Sequence, residues 1–395
     1  MPGIPGPTSD RRRIAWRSLA ACYAAVAAVA ALPLFSRLGL PVAPAGLLYL
    51  AALAGAIVAL RSASAHLFSR PRTAIAASAL LVLLLGAADA AMYGRSRSGP
   101  EPSTAPDAMI EPAGKLLAGE FPYSVDLRAH APASPGIGWV ALNAPLTLAG
   151  LAPLLSAIWL AAAAAALARR APPAAAVFVA LNLANLHFLR LSFVGHDLFA
   201  FSCALVVLIE LLAAEDRASP RRVALLAVAA GLVATARVPF ALAPAILAFL
   251  VFRRDRRAGT WFGVVSLGTA ALLHGAMILW ARAAGSWYQP LHVFGRAGRS
   301  GSILLVAGAA VWLGVSLVVL LRARDDRFAW HAVAWLVLAT PFATVGLAEL
   351  AASPSRIAGW EGANYVAFAL PVLAAALASG MEAGGVPGTP DRSRS

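Results

Sequence analysis

Runs of roughly twenty apolar residues recur along this chain, separated by short blocks of arginine, and that pattern narrows the fold more than any single motif. A helix rises about 1.5 Å per residue, so one such run crosses the roughly 30 Å hydrocarbon core of a bilayer. Hydrophobic residues make up 60% of the 395, and charged ones only 13%, too little polar surface to clothe a soluble domain. Lipid offers backbone N–H and C=O groups no partner, so each crossing segment must close its own hydrogen bonds as a helix or join a closed barrel. A barrel needs alternating segments of about ten residues, and these runs do not alternate. The expectation is an all-α, polytopic helical membrane protein.

Twelve spans can be drawn, at roughly 14–35, 43–60, 73–92, 145–168, 174–191, 197–214, 221–236, 238–252, 260–282, 301–321, 328–350 and 362–380. The seventh and eighth meet at Ala236-Arg237-Val238-Pro239, where the proline disfavours helix through the residue before it. Most of the 32 basic residues fall in blocks that share one side if the N-terminus is cytoplasmic, among them Arg11–Arg13, Arg169–Arg170, Arg221–Arg222 and Arg253–Arg257. Positive-inside asymmetry then puts both termini in the cytoplasm. The same blocks account for the net charge of +14 without any nucleic-acid partner. Cys22 and Cys203 lie inside apolar runs, where neither a disulfide nor a metal site is expected. Arg11-Arg12-Arg13 followed by Ile14–Phe35 reads as an uncleaved first helix rather than a signal peptide. The Pro- and Gly-rich ends, 1–13 and 383–395, read as disordered tails around one transmembrane domain, 14–382. Abundant Ala and Arg with a single Lys is the composition of a GC-rich bacterial genome, so a bacterial cytoplasmic membrane is the expected setting.

One long polar loop, 93–144, interrupts the apolar pattern on the outer side. Asp107 opens a short helical stretch in which Met109, Ile110, Leu116 and Leu117 share a face, as for a helix lying in the membrane interface. Glu111 and Lys115, four apart, can pair on another face. Helix N-capping is the ordinary use of an Asp at such a start. Asp89 sits in the apolar end of the third span, where an acid is costly and therefore suspect of function. Asn182 and Asn185, three apart in the fifth span, are expected to hydrogen-bond between helices. Trp139 and Tyr123 suit either a sugar ring or the membrane interface. His196-Asp197, Arg237, Trp287 and Glu361 all fall in turns on the same outer side.

The loop resembles that of the C-type glycosyltransferase superfamily, integral-membrane enzymes that use polyprenyl-phosphate sugars. The resemblance rests on Asp107, the helical stretch after it, and Leu116-Leu-Ala-Gly-Glu-Phe-Pro-Tyr123. Weaker echoes are Ser134-Pro-Gly-Ile-Gly-Trp139 leading to Asn143-Ala-Pro145, the turn Gly195-His-Asp197, and Thr235-Ala-Arg-Val-Pro-Phe240. It implies transfer of a sugar such as mannose to a glycolipid, polysaccharide or protein acceptor at the outer face, with inversion. Asp107 would be the general base, Glu111 and Asp89 the alternative carboxylates. Arg237 or Arg190 would receive the leaving phosphate, with Asp197, His196 and Tyr123 as further substrate contacts. No metal and no cofactor is required. Alternatives are a secondary transporter, a non-catalytic protein of the same fold, and a polymerase or ligase of lipid-linked glycans. Essential acids at the outer surface would mark an enzyme, and acids at mid-membrane a carrier.

Overall fold

Prolines stand in the first turns of several helices (Pro71, Pro172, Pro220), where a missing N–H costs nothing. Ser219 caps the helix that Pro220 opens, and Asp255 caps another, by accepting from the N–H groups of Arg222 and Ala258. The resulting computed structural model describes residues 7–67, 70–98, 103–124, 127, 132–214, 219–292, 302–322, 326–352, 354–360 and 362–382; these hold helices and turns and no strand. In chain order the helices are α1 (Pro7–Arg37), α2 (Val42–Leu67), α3 (Pro71–Ser98), α4 (Asp107–Leu117), α5 (Ile137–Leu148), α6 (Leu155–Ala168), α7 (Pro172–Ala184) and α8 (Leu186–Phe193). They continue as α9 (Leu198–Ala213), α10 (Pro220–Ala234), α11 (Leu242–Arg254), α12 (Arg256–Ala283), α13 (Ser302–Arg322), α14 (Arg327–Ala352), α15 (Gly362–Ala367) and α16 (Leu370–Glu382).

Among the described residues six stretches are long and apolar enough to cross a membrane: α1, α2, α3, α12, α14, and α15 with α16 together. Two bent pairs raise the number to eight, α5–α6 at 118° and α7–α8 at 77°. The fourth and fifth expected spans are therefore broken rather than straight. Gly150 and Pro153 interrupt the first pair, and Asn185 interrupts the second. The expected reversal near Pro239 is present, as a 3-10 turn at Val238–Ala241 between α10 and α11. Those two helices have 15 and 13 residues, about 20 Å each, and both lie against α12.

Long-range contacts sort the helix ends into two groups. At one end the Arg61 guanidinium lies 4.2 Å from the Trp16 ring centre, Trp16 Nε1 donates to Leu377 O, Arg170 reaches Ala213 O, and Arg254 stacks on Trp330. At that end Glu210 also meets His331 Nε2 (2.8 Å) and Arg327 Nη2 (2.7 Å), a buried polar cluster that no motif announced. At the other end Arg37 Nε donates to Ala358 O, Ser103 Oγ to Val194 O, and Gly136 N to Thr235 O. The second group contains the acid-bearing loop and is called the loop end below.

Several expectations change in three dimensions. Helix α1 begins at Pro7, so residues 7–13 are helical rather than a tail; residues 1–6 and 383–395 lie outside the described residues, as does Glu361. Helix α3 runs on to Ser98, which shortens the loop. Helix α4 buries a face only partly the expected one: Ala108, Met109, Pro112 and Ala113 are buried, with α4 against α5, while of the expected apolar face Ile110 and Leu116 are partly buried and Leu117 stays 71% exposed. Gly119, with φ +73°, then turns the chain at the end of α4.

Candidate functional site at the loop end

Three residues of α3 spaced four apart, Asp89, Tyr93 and Arg97, share one face. Each touches a different part of the loop end. Asp89 Oδ2 accepts from Ser192 Oγ on α8 (2.8 Å). Tyr93 lies against Gly195, and Arg97 Nη1 reaches both carboxylate oxygens of Asp107 at 2.6 and 2.7 Å. Gly195 has φ +71°, and a Cβ there would come within 2.8 Å of Pro106 Cγ. Both the backbone angle and the close approach therefore demand glycine. This contact and the Ser103–Val194 bond seat Asp107 at the start of α4, beside the turn that carries Asp197.

Asp107 is buried, with its side chain 6% exposed, while that of Arg97 remains 26% exposed. It makes no side-chain capping bond: the N-cap position is Pro106. The capping role expected of such an Asp is thus replaced by a long-range ion pair. Glu111, four residues on, is only partly buried, and its expected partner Lys115 donates instead to Ser124 Oγ at 2.9 Å.

The second acid of this end is sealed. Asp197 receives Arg237 Nη2 on Oδ1 (2.8 Å) and Arg237 Nη1 on Oδ2 (3.0 Å), a fork-to-fork pair. Trp139 Nε1 adds a third bond to Oδ2 (2.9 Å). Burial alone would raise the Asp197 carboxyl, but the Arg237 charge and its hydrogen bonds more than offset this and hold it far below the ordinary carboxylate range. Burial likewise disfavours the charged Arg237, and Asp197 reverses the sign, leaving the guanidinium more firmly protonated than usual. His196 Nδ1 accepts from Leu198 N (3.2 Å) and lies 3.4 Å from Asp197 Oδ1, a contact rather than a hydrogen bond in that tautomer.

Around this pair the loop is docked through backbone. Gly136 N donates to Thr235 O, and Trp139 N donates to Thr235 Oγ1 at 2.7 Å. Gln289 ties Ala133 N to Tyr123 O. Tyr123 OH donates to Pro135 O (2.7 Å), and its ring meets Tyr288 edge-on. Burial raises both phenols well above their ordinary values. Three residues after Arg237, the ring of Phe240 packs on both Phe201 (4.0 Å between centres) and Phe368 (4.8 Å), which anchors the Arg237 turn in the core.

The structure therefore brings Asp107, His196, Asp197, Arg237 and Tyr123 to one end. Several of them already have partners within the protein. Tyr123 and Trp139 are buried network members, not surfaces open to a sugar ring or to lipid. The fork of Arg237 is occupied by Asp197. Asp89 is fully buried about 12 Å deeper along α3 than Arg97, by helix rise, and is held by Ser192. Asn182 and Asn185 bond locally rather than between helices. Asn182 donates to Phe178 O, and Asn185 caps α8 by accepting from His187 N and Phe188 N. Arg97, Tyr288 and Gln289 were not singled out from the sequence, and Thr235 stood there only as the start of the Thr235–Phe240 echo; Arg97 left a trace in its spacing from Asp89 and Tyr93.

Fold and site together define a multi-pass helical membrane protein with a polar, ion-paired loop assembly at one end. Compared with known proteins, the chain matches no family model, no curated protein and no solved structure. Among the described residues no group of three or more His, Cys, Asp or Glu could hold a metal ion.

Proposed function

We propose that the protein is a membrane glycosyltransferase of the C-type, moving a sugar from a polyprenyl phosphate to an acceptor at the outer face of a bacterial cytoplasmic membrane. The observation that carries this reading is Asp107: a carboxylate seated in protein at the loop end, whose arginine partner still reaches solvent. In that reading the loop end faces outward and both termini face the cytoplasm, as the arginine blocks suggest. In the same reading α13, of 21 residues, and the shorter α9, α10 and α11 complete twelve crossings, the shorter three by meeting a locally thinned bilayer.

Asp107 takes the proton of the acceptor hydroxyl as that oxygen bonds to the anomeric carbon. The carbon–oxygen bond to phosphate breaks, and the phosphate leaves with its electron pair. Arg97 holds the Asp107 carboxylate oriented until the acceptor arrives. The Asp197–Arg237 pair holds the floor of the site.

A second reading, a secondary transporter, draws support from the broken helix α7–α8 and the buried Asp89 beside it, both features of midplane substrate sites. One experiment separates the two. Purified protein in nanodiscs is given radiolabelled polyprenyl-phosphate mannose and a membrane glycolipid extract, with Asp107→Asn and Asp89→Asn in parallel. The transferase reading expects transfer that falls by about a hundredfold or more in Asp107→Asn. Absence of transfer from mannose, glucose and arabinose donors, together with Asp89-dependent solute uptake in proteoliposomes, would replace it with the transporter.

A further inference from the structure

From Gly136 to Ala168 the chain carries no charged residue. As one helix that stretch would be about 50 Å long, well beyond the roughly 30 Å of a hydrocarbon core. It is instead folded back by the 118° bend between α5 and α6. A bend beyond a right angle means that α5 runs back along α6 rather than extending it. The side chains agree: Trp139, in the first turn of α5, stacks on Trp159 inside α6.

Neighbouring helices give the depth of this fold-back. The ring of Phe121 meets Trp280 near the end of α12. Further on, a Cβ at Gly136 would come within 3.0 Å of His274 Cε1, and one at Gly138 within 2.8 Å of Leu273 Cδ1. From Trp280 to Leu273 the contacts descend α12 by about 10 Å. At that level α12 leaves Leu272 and Leu279 strongly exposed. Helix α5 then climbs to the corner at Ala149–Leu151. Just past the corner, Leu154 and Ala157 lie against Gly86 of α3, about 16 Å before Arg97 by helix rise. There α3 leaves Leu83 and Leu84 strongly exposed. The whole fold-back therefore sits at the level of apolar, outward-facing sections of two spanning helices.

The surface of α5 is inverted relative to a helix at water. Ala141, Pro145 and Leu148 are its exposed residues, spaced as one stripe, and all are apolar. Its polar side chains are buried: Asn143 bonds Trp139 O and Trp159 Nε1, and Thr147 donates to Ala144 O. The corner is exposed too, yet closes its own hydrogen bonds, from Gly150 N to Thr147 O and from Leu151 N to Leu146 O, with Gly150 at φ +77°. Backbone that satisfies itself is what hydrocarbon demands.

We propose that α5 is a re-entrant helix whose stripe Ala141, Pro145 and Leu148, with Leu151 at the corner, is a surface for lipid acyl chains of the leaflet at the loop end. Helix α6 alone then makes the crossing to the far end. One helix width, about 10 Å, separates those acyl chains from the Trp139–Asp197 bond on the buried side of α5. The surface rests on neither functional reading.

The test uses the full chain in phosphatidylcholine nanodiscs. Photoreactive benzoylphenylalanine is placed at Leu148, at Leu83 as the lipid reference and at Glu120, an exposed residue of the loop, as the water reference. After irradiation, mass spectrometry should find lipid adducts at Leu148 as at Leu83, and none at Glu120. A second readout places nitroxide labels at Ala141, Leu148 and Leu151 in a Cys22→Ala/Cys203→Ala background. Their collisions with oxygen should exceed those with an aqueous nickel chelate, and a label at Glu120 should show the reverse. The first readout keeps both native cysteines, so it stands if the double variant misfolds. Labels on α5 that meet the nickel chelate as freely as the one at Glu120 would overturn the proposal. So would adducts at Leu148 to a second copy of the chain in place of lipid. Neither readout involves sugar transfer, so the failure of this surface and the failure of the transferase reading are separate results.

Discussion

Two aspartate–arginine pairs stand at the same end of this molecule, and they are built differently. Arg237 meets Asp197 fork to fork, with two nitrogens on two oxygens, a third bond from Trp139, and side chains only 9% and 2% exposed. Arg97 meets Asp107 through one nitrogen that serves both oxygens, and its side chain is 26% exposed. The first pair is closed to solvent and crosslinks the start of α9 to the turn between α10 and α11. The second joins the end of α3 to the start of α4 and keeps one side near water. A sealed pair is hard to exchange for a ligand, because either charge left alone in the interior is costly. A pair with an exposed member can trade one partner for a substrate group at small cost. Asp197–Arg237 is thus the more sealed of the two pairs, and on the transferase reading the chemistry falls to Asp107.

The sharpest way to break this contrast is to remove one charge from each pair. Asp197→Asn strands Arg237 in the interior and should destabilise the protein by about 3–5 kcal/mol, read as a lower melting temperature and a loss of monodisperse protein in detergent. The apolar double variant Asp197→Leu/Arg237→Met should recover much of that loss, since a buried ion pair replaced by packed apolar groups is often neutral. Asp107→Asn leaves unpaired only the more exposed Arg97, so it should cost less than Asp197→Asn, and on the transferase reading it removes transfer. If Asp107→Asn unfolds the protein as severely as Asp197→Asn, the distinction between the pairs fails.

A smaller effect is expected where the loop backbone docks. An added Cβ at Gly136 would collide with Thr235 O and crowd His274 and Tyr288. Gly136→Ala should cost about 1–3 kcal/mol and loosen the Asp197 end, with faster hydrogen exchange over residues 132–139. Unchanged exchange there would mean that the loop is held by Gln289 and Tyr123 instead.

The smallest effect is a pH dependence that should not be seen. The Asp197 carboxyl is depressed in the folded state. Its contribution is therefore fully present above the unfolded value of about 3.9 and is lost only as pH falls through the still lower folded value. The melting-temperature difference between wild type and the apolar double variant should stay flat from about pH 8 to pH 5. A step within that window would show that the pair is less tightly coupled than its geometry indicates.

Particular residues show how far the sequence could be read. Pro239 announced the reversal between α10 and α11, because proline restricts the residue before it whatever surrounds it. The gathering of Asp107, Asp197 and Arg237 at one end followed from counting spans and arginine blocks. Asn185 was misread as an interhelical donor, although an Asn before a new helical stretch is also an ordinary N-cap; a bend of 77° between two apolar segments leaves no mark in hydropathy. Helix α4 itself was legible, but not the face it packs on α5: of Met109, Ile110, Leu116 and Leu117 only Met109 is buried, beside the small residues Ala108, Pro112 and Ala113, whose low hydropathy makes no stripe.

What the sequence determined alone is what depends on local chemistry: helices throughout, their apolar length, the proline and glycine breaks, and the segregation of arginine to one set of turns. Only the tertiary structure decided which charge meets which. Asp107 with Arg97, Asp197 with Arg237 and Trp139, and Glu210 with Arg327 and His331 are pairings across 10 to 121 residues of chain. An ionic interaction depends on distance and on the removal of water, and neither exists until the helices have packed.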